Sequence, residues 1–178
     1  MNNMSIGKFL CLILRHKPNL IGITLDQNGW ASTQEIIYAL NKTNKKISIE
    51  QLVNIVNTDN KKRFSFNEDK SKIRANQGHS IPVDLSLVEL APPAVLYHGT
   101  SERYINSIKQ NGIHKRTRQY VHLSSNYETA IQVGSRHGKP IILKINAMQM
   151  YVDGYKFYLS ENLVWLTDYI PVKYITFI

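Results

Sequence analysis

The sequence lacks the features of a secreted or membrane protein. Its 178 residues include one cysteine, Cys11, which cannot form an internal disulfide and lies in an apolar periodic run. A small buried side chain in a reducing compartment is the simplest interpretation. No apolar run approaches the length that crosses a bilayer, and residues 1–20 lack a signal-peptide layout. We therefore expect a cytoplasmic protein without a membrane partner.

Several catalytic motifs are also missing. There is no Gly-x-Ser-x-Gly, no Walker motif and no Gly-x-Gly-x-x-Gly, which disfavours a serine hydrolase and the two common nucleotide folds. No histidine or carboxylate pair has metal-ligand spacing, so we expect no metal site. If a nucleotide binds, another fold must hold it.

Positive charge is abundant. Lysine and arginine number 22 against 13 acidic residues, a net charge of +9 that is spread over both halves of the chain. This charge favours a polyanionic partner such as nucleic acid or a nucleotide. An alkaline protein with no anionic ligand would have the same composition, so charge alone decides little.

Residues 1–80 have the element order of a winged helix. Apolar side chains at helical spacing predict a helix over 5–14 with Ser5 as its N-cap, and Pro18 forbids its continuation. Two capping-box patterns, at 32–35 and 48–51, predict two more short helices. The apolar stretches 64–66 and 72–74, around the polar turn 67–70, then predict a hairpin.

A proline-rich linker is expected over 81–94, and a second lobe over 95–178. In this lobe we predict strands at 95–98 and 121–123, a helix around residues 105–108 that Gly112 ends, and a helix begun by the pair Ser125 and Glu128. The remainder is interpreted as mostly strand, at 141–145, 155–158, 164–166 and 174–178. The fold class is therefore α+β and not a doubly wound parallel sheet.

Basic groups with polar neighbours are the candidate site residues. Arginine grips phosphate oxygens without titrating, and a histidine beside it can move a proton near neutral pH. Each group also has a structural alternative, as a helix cap, a solvated helix face or an ordinary loop charge. The candidates are Arg15-His16, Lys62-Arg63, Arg116-Thr117-Arg118 and the polar run Arg74-Ala75-Asn76-Gln77-Gly78-His79-Ser80.

These motifs, in this order, resemble the RNA 2'-phosphotransferases, NAD-dependent enzymes that remove the splice-junction 2'-phosphate from tRNA. The resemblance spans nearly the whole chain. The segments that carry it are Leu14–His16, Asp26–Trp30, Lys62–Phe64, Ile73–Ser80, His98–Thr100, Arg118 with Val121–Ser124, Gly134 with Arg136–Gly138, and Phe157–Ser160 with Val164–Thr167.

The resemblance implies a winged-helix RNA-binding lobe joined to an ADP-ribosyltransferase-like lobe that binds NAD as co-substrate. It places the family's catalytic set on Arg15, His16, Arg63 and Arg118. We expect NAD contacts from His98, Gly99, Thr100, His122, Ser124 and Arg136, and RNA contacts from Arg74, Asn76, Gln77, His79 and Ser80.

The implied reaction has two steps. The RNA 2'-phosphate displaces nicotinamide from NAD, which gives an ADP-ribosylated 2'-phosphate. The ribose O2'' then attacks phosphorus and releases RNA with a 2'-hydroxyl and ADP-ribose 1'',2''-cyclic phosphate. Three arginines would bind the charge that grows on the phosphate oxygens, and His16 would orient or deprotonate O2''. The reaction needs no metal.

Two positions depart from the pattern or invite comparison. Tyr120 stands where many relatives have histidine, and we expect altered local contacts there. Glu161 invites comparison with the glutamate of protein-modifying ADP-ribosyltransferases, and a surface role is the preferred interpretation. Two other functions stay open, an ADP-ribosyltransferase acting on protein or on terminal nucleic-acid phosphates, and a non-enzymatic winged-helix nucleic-acid binder.

Overall fold

The computed structural model describes residues 3–178 and has the mixed helix and strand content of an α+β protein. The chain divides into two compact units, Met1–Ser86 and Leu87–Ile178. Each unit has its own hydrophobic core. The α+β class predicted from the sequence is thereby confirmed.

The first unit consists of three helices and a small antiparallel sheet. Its elements are α1 (Asn3–Arg15), β1 (Ala31–Ser32), α2 (Thr33–Asn41), α3 (Ile49–Asn57), β2 (Phe64–Phe66) and β3 (Lys72–Ala75), with a 3-10 turn at Pro18–Ile21. Strand β3 is central, in the order β1-β3-β2, and Ala75 pairs with Phe64. The core is formed by fully buried side chains of the three helices and β3, among them Leu10, Leu14, Ile36, Leu40, Leu52 and Ile73.

Local capping explains where two of these helices begin. Ser48 and Gln51 form a complete capping box, as predicted. Of the box predicted at 32–35 the structure shows one half, in which Ser32 accepts a hydrogen bond from the Glu35 amide. The Ser5 N-cap is wrong, because α1 begins at Asn3 and includes Ser5. No proline or glycine precedes Ser5, so nothing in the backbone stops the helix there.

The second unit contains three small sheets and three helices. Its elements are β4 (Val95–Ser101), α4 (Ile105–Asn111), β5 (Ile113–His114), β6 (Val121–Leu123), α5 (Tyr127–Gly134), β7 (Pro140–Asn146), α6 (Ala147–Val152), β8 (Tyr158–Leu159), β9 (Trp165–Thr167), β10 (Tyr169–Ile170) and β11 (Ile175–Phe177). All pairings are antiparallel, in the orders β11-β7-β4, β6-β9-β8 and β10-β5. An isolated bridge between Tyr97 and Ser124 connects β4 with the segment after β6.

Three local features of this unit differ from the prediction. The N-cap of α5 is Asn126, which accepts from the Thr129 amide, and not Ser125. Helix α6, with Asn146 as its N-cap, was not predicted. Residue 155 lies outside β8. The predicted end of α4 at Gly112 is confirmed.

The segment 81–94 makes hydrogen bonds within both units. The Asp84 amide donates to the Gln27 carbonyl at 2.8 Å, in the first unit. In the second unit the Leu90 amide donates to the Phe157 carbonyl at 2.9 Å, and Glu89 forms a bridge with Tyr158. The boundary between the units therefore falls inside this segment, after Ser86.

None of the helices in residues 3–178 combines the length and apolar character that a membrane span requires.

Candidate active site

The end of α1 is tied to the end of the polar run. Arg15 is the last residue of the helix, and its carbonyl accepts a hydrogen bond of 2.9 Å from the Ser80 amide. The next side chain, His16, lies 2.8 Å from the Ser80 hydroxyl through Nδ1. Because a hydroxyl can donate or accept, this contact suits either ring tautomer. The pair of bonds fixes the direction of the imidazole.

Gly78 provides the surface against which Arg15 lies. Its φ is +89°, and a Cβ built there would lie 3.4 Å from Nη1 of Arg15. Both the left-handed backbone and this close approach favour glycine. The Arg15 guanidinium thus packs on backbone beside His16.

His79 is a buried neutral imidazole within this cluster. It is 1% exposed, its Nε2 would lie 3.5 Å from a Cβ built at Gly29, and neither ring nitrogen has a hydrogen-bond partner in the part of the chain that the structure describes. Burial, and then the positive charge of Arg15, His16 and Arg74, lower its pKa to about 4. His79 is therefore uncharged at neutral pH.

The polar run contributes more to the core than its sequence indicates. Ala75, Asn76, Gly78 and His79 are buried, whereas Arg74 and Gln77 are half-buried and Ser80 is exposed. Packing therefore orders much of this segment. The segment therefore does not need a bound ligand to be ordered, although its polar sequence alone would predict that need.

Two polar side chains of the run support neighbouring strands. Asn76 donates from Nδ2 to the Lys62 carbonyl at 2.8 Å, and its amide donates to the Arg63 carbonyl at 2.9 Å. The Arg74 guanidinium lies over the Trp30 ring, 4.5 Å from its centroid. Both contacts hold the backbone around Arg63 and the sheet edge in place.

Arg63 is held by a carboxylate that was not predicted from the sequence. Its Nε lies 3.1 and 3.0 Å from the two Asp59 oxygens, its Nη2 donates at 2.7 Å, and its amide also donates at 2.7 Å. The Asp59 side chain is 5% exposed and that of Arg63 is 32% exposed. The remaining terminal nitrogen, Nη1, lies 3.9 Å from the Cys11 sulfur.

This pairing stabilises both charges. Burial disfavours the ionised carboxyl, but hydrogen bonds from the Arg63 side chain and amide outweigh that effect and lower the pKa of Asp59. The hydrogen bond to Asp59 correspondingly raises the pKa of Arg63. The spacing of four residues between Asp59 and Arg63 could have indicated this ion pair from the sequence. Such spacing is typical of pairs on a helix, whereas here it spans a turn.

In the second unit, His98 on β4 is oriented by β6. Its Nδ1 donates to the His122 carbonyl at 3.0 Å. Burial lowers the pKa of His98, the bond to His122 partly opposes this, and the charges of Arg118 and Arg116 add to the lowering. In the neutral form Nε2 is then the acceptor of this ring.

Gly99 is required by packing between β4 and α5. A Cβ at this position would lie 1.8 Å from the Ala130 carbonyl oxygen and 2.9 Å from the Gly134 amide. Gly134 is equally constrained, since its Cβ would lie 2.7 Å from the Thr100 carbonyl oxygen. The space beside Gly99, a residue expected to contact NAD, is thus filled by a helix of the same unit.

Arg118 and Arg136 lie near each other in the second unit. Both are exposed, and the pKa of Arg118 is lowered first by partial desolvation and then by the charge of Arg136. An arginine keeps its proton at any working pH in spite of such a shift. Guanidiniums whose charges interact in this way are suited to binding a pyrophosphate or a phosphate dianion.

The other predicted residues of this unit frame the same strands. Thr100 is buried, His122 and Ser124 are half-buried, and the Ser124 hydroxyl accepts from the Asn126 amide at 3.0 Å. Tyr120 contacts the Tyr158 ring with centroids 5.7 Å apart. Glu161 is exposed.

Within each unit several of the predicted residues lie together, whereas the Arg63 side chain is held by Asp59. In the first unit Arg15, His16 and Ser80 share hydrogen bonds, and the buried His79 lies among the neighbouring charges. In the second unit the charge of Arg118 acts on His98, and that of Arg136 acts on Arg118. Each unit thus has arginines near an imidazole, a combination suited to phosphate chemistry.

Comparison with known proteins agrees with this class of chemistry. A family model described as RNA 2'-phosphotransferase, Tpt1 / KptA family, matches residues 1–169. The chain is 56% identical to a "Probable RNA 2'-phosphotransferase" of Fusobacterium nucleatum, over 99% of both chains. It is 54% identical to a protein of the same description in Flavobacterium johnsoniae, over 97% of this chain and 95% of that one.

The proteins that this chain matches over nearly its full length are described as phosphotransferases, which are transferases. The chain belongs to the RNA 2'-phosphotransferase family.

Proposed function

We propose that this protein removes an internal 2'-phosphate from RNA by transferring it to NAD. The reaction passes through an ADP-ribosylated 2'-phosphate and releases nicotinamide and ADP-ribose 1'',2''-cyclic phosphate. A tRNA with a splice-junction 2'-phosphate is the proposed substrate, in the cytoplasm. Family membership supports the phosphotransfer reaction. The position of the site is supported by one geometric observation, which is that residues 78–80 hold Arg15 and His16 side by side.

The first unit is proposed as a winged-helix lobe for RNA. Its order of helix, short strand, two helices and hairpin, with β3 central in the sheet, supports this assignment. The second unit is proposed as an ADP-ribosyltransferase-like lobe for NAD. Its short antiparallel sheets and the cationic pair Arg118 and Arg136 support that role.

NAD supplies an electrophilic ribose carbon with nicotinamide as leaving group. The residues present fit such a co-substrate, since guanidiniums can bind its pyrophosphate and His98 offers an oriented ring nitrogen. Arg15, Arg63 and Arg118 would bind the 2'-phosphate oxygens, where negative charge increases during transfer. His16, oriented by Ser80, would accept the proton of the attacking ribose hydroxyl.

Product analysis tests this proposal. Purified protein is incubated with NAD and an oligonucleotide that carries one internal 2'-phosphate, and the products are separated by chromatography and mass. We expect RNA with a 2'-hydroxyl, one nicotinamide and one ADP-ribose 1'',2''-cyclic phosphate per turnover. A stable ADP-ribosylated product would indicate an ADP-ribosyltransferase, and binding without nicotinamide release would indicate a non-enzymatic nucleic-acid binder.

A further inference from the structure

Two arginines converge on one aromatic ring in the second unit. The Arg103 guanidinium lies 4.6 Å from the centroid of Tyr104, and the Arg116 guanidinium lies 4.3 Å from the same centroid. Both arginines are exposed and Tyr104 is half-buried. Like charges repel, and one phenol ring offsets only part of that repulsion. An anion between or beside the two groups would offset more.

No carboxylate among residues 3–178 pairs with either arginine. Asp168 is bound at 2.9 Å by Lys115, the residue before Arg116. Glu102, next to Arg103 in the sequence, lines a surface cavity with Lys109 and Phe177. The charge of the arginine pair is therefore accessible to an external anion.

The backbone at Arg116 is also unusual. Its φ is +53°, a left-handed conformation that a residue with a long side chain seldom adopts. Strain of this kind persists where the surrounding structure enforces it, and it is frequent at ligand sites. Arg116 precedes Arg118 by two residues, and its charge contributes to lowering the pKa of His98, so it acts on one of the proposed NAD residues.

We infer that Arg103 and Arg116, supported by Tyr104, form a second phosphate-binding site. The inference rests on the proposed function and extends it. Two sources could supply the phosphate, a phosphodiester of the RNA that flanks the 2'-phosphorylated nucleotide, or the pyrophosphate of NAD. Guanidiniums bind both through the same paired N–H donors.

Direct binding tests the site without requiring turnover. The variants are Arg103→Gln, Arg116→Gln and their double. Lys109→Gln is the matched control, because Lys109 also lies over an aromatic ring of this unit, 5.4 Å from the Phe177 centroid. The probes are a fluorescent single-stranded RNA hexamer and NAD, each titrated at several salt concentrations.

We expect the double variant to bind one of the two probes about tenfold more weakly at 0.1 M salt. The slope of the logarithm of the binding constant against the logarithm of salt concentration should fall by about one for each phosphate group that the protein no longer neutralises. Loss of RNA binding alone identifies a flanking phosphodiester, and loss of NAD binding alone identifies the pyrophosphate. If the double variant binds both probes like Lys109→Gln, the site does not exist. This result is independent of whether the wild type transfers phosphate.

Discussion

The pairing of Asp59 with Arg63 yields the sharpest prediction. Asp59→Asn keeps the size of the side chain but removes its charge, and one amide nitrogen would then face the guanidinium. Three donor groups of Arg63, its amide, Nε and Nη2, make four contacts of 2.7 to 3.1 Å with the carboxylate oxygens. We expect the variant to fold, but its Arg63 side chain should no longer have a fixed orientation.

The cost to stability can be worked from burial. A charge-assisted hydrogen bond contributes about 1.5 to 3 kcal/mol, and breaking a fully buried pair costs about 3 to 5 kcal/mol. Because Arg63 is a third exposed, water can solvate the freed guanidinium, so we expect a loss of about 2 kcal/mol. The pKa of Asp59 is lowered on folding, so the contribution of the ionised carboxyl is present above pH 3.8 and is lost as pH falls further.

The effect on activity should exceed the effect on folding. Loss of orientation at a phosphate-binding group costs about 100-fold in kcat. The assay follows loss of 2'-phosphate from RNA at a temperature where urea unfolding shows every variant to be folded. Glu89→Gln, which breaks an exposed ion pair of 3.4 Å with Lys156, is the control and should retain full activity.

A double-mutant cycle separates positioning from a general structural role. If Asp59 acts through Arg63, Asp59→Asn should have no further effect on kcat once Arg63→Ala is present. Asp59→Glu should recover part of the activity, because it restores the charge. Additive losses in the cycle, or wild-type kcat in Asp59→Asn, would refute the assigned role.

Three other predictions concern residues of both units. Because folding lowers the pKa of His79 from 6.5 to about 4, protonation of the unfolded chain reduces the free energy of unfolding by about 3 kcal/mol as pH falls from 6.5 toward 4. Urea unfolding of His79→Leu should therefore be less pH-dependent than that of His114→Gln. Equal pH dependence would contradict it. Gly99→Ala places a Cβ 1.8 Å from the Ala130 carbonyl oxygen and should lower the free energy of unfolding by about 3 kcal/mol or more. Gly7 lies in the middle of α1, where a Cβ would be 3.9 Å from Ile55, so Gly7→Ala should be neutral or slightly stabilising in the same thermal unfolding assay. His16→Ala should slow the second chemical step more than the first, so ADP-ribosylated RNA should accumulate in a gel assay; equal blockage of both steps would count against this.

Local chemistry accounts for what the sequence predicted well. The capping box at Ser48 and the end of α4 at Gly112 depend on a few consecutive residues, so their patterns are visible along the chain. The N-cap of α5 was placed one residue early, because Ser125 and Asn126 are both good caps and only the packed helix distinguishes them. Helix α6 is six residues long, too short for a clear periodic signal.

The sequence by itself determined the family, the α+β class and the residue types suited to phosphate chemistry, because these depend on order, composition and spacing along the chain. Tertiary structure alone decided which of those residues are buried, paired or strained. It placed His79 in the core, filled the space beside Gly99 with a helix, and brought Arg103 and Arg116 to one ring. The physical reason is that contacts such as those of Gly99 with Ala130 and of Arg116 with Tyr104 join residues far apart in sequence, where local patterns carry little information.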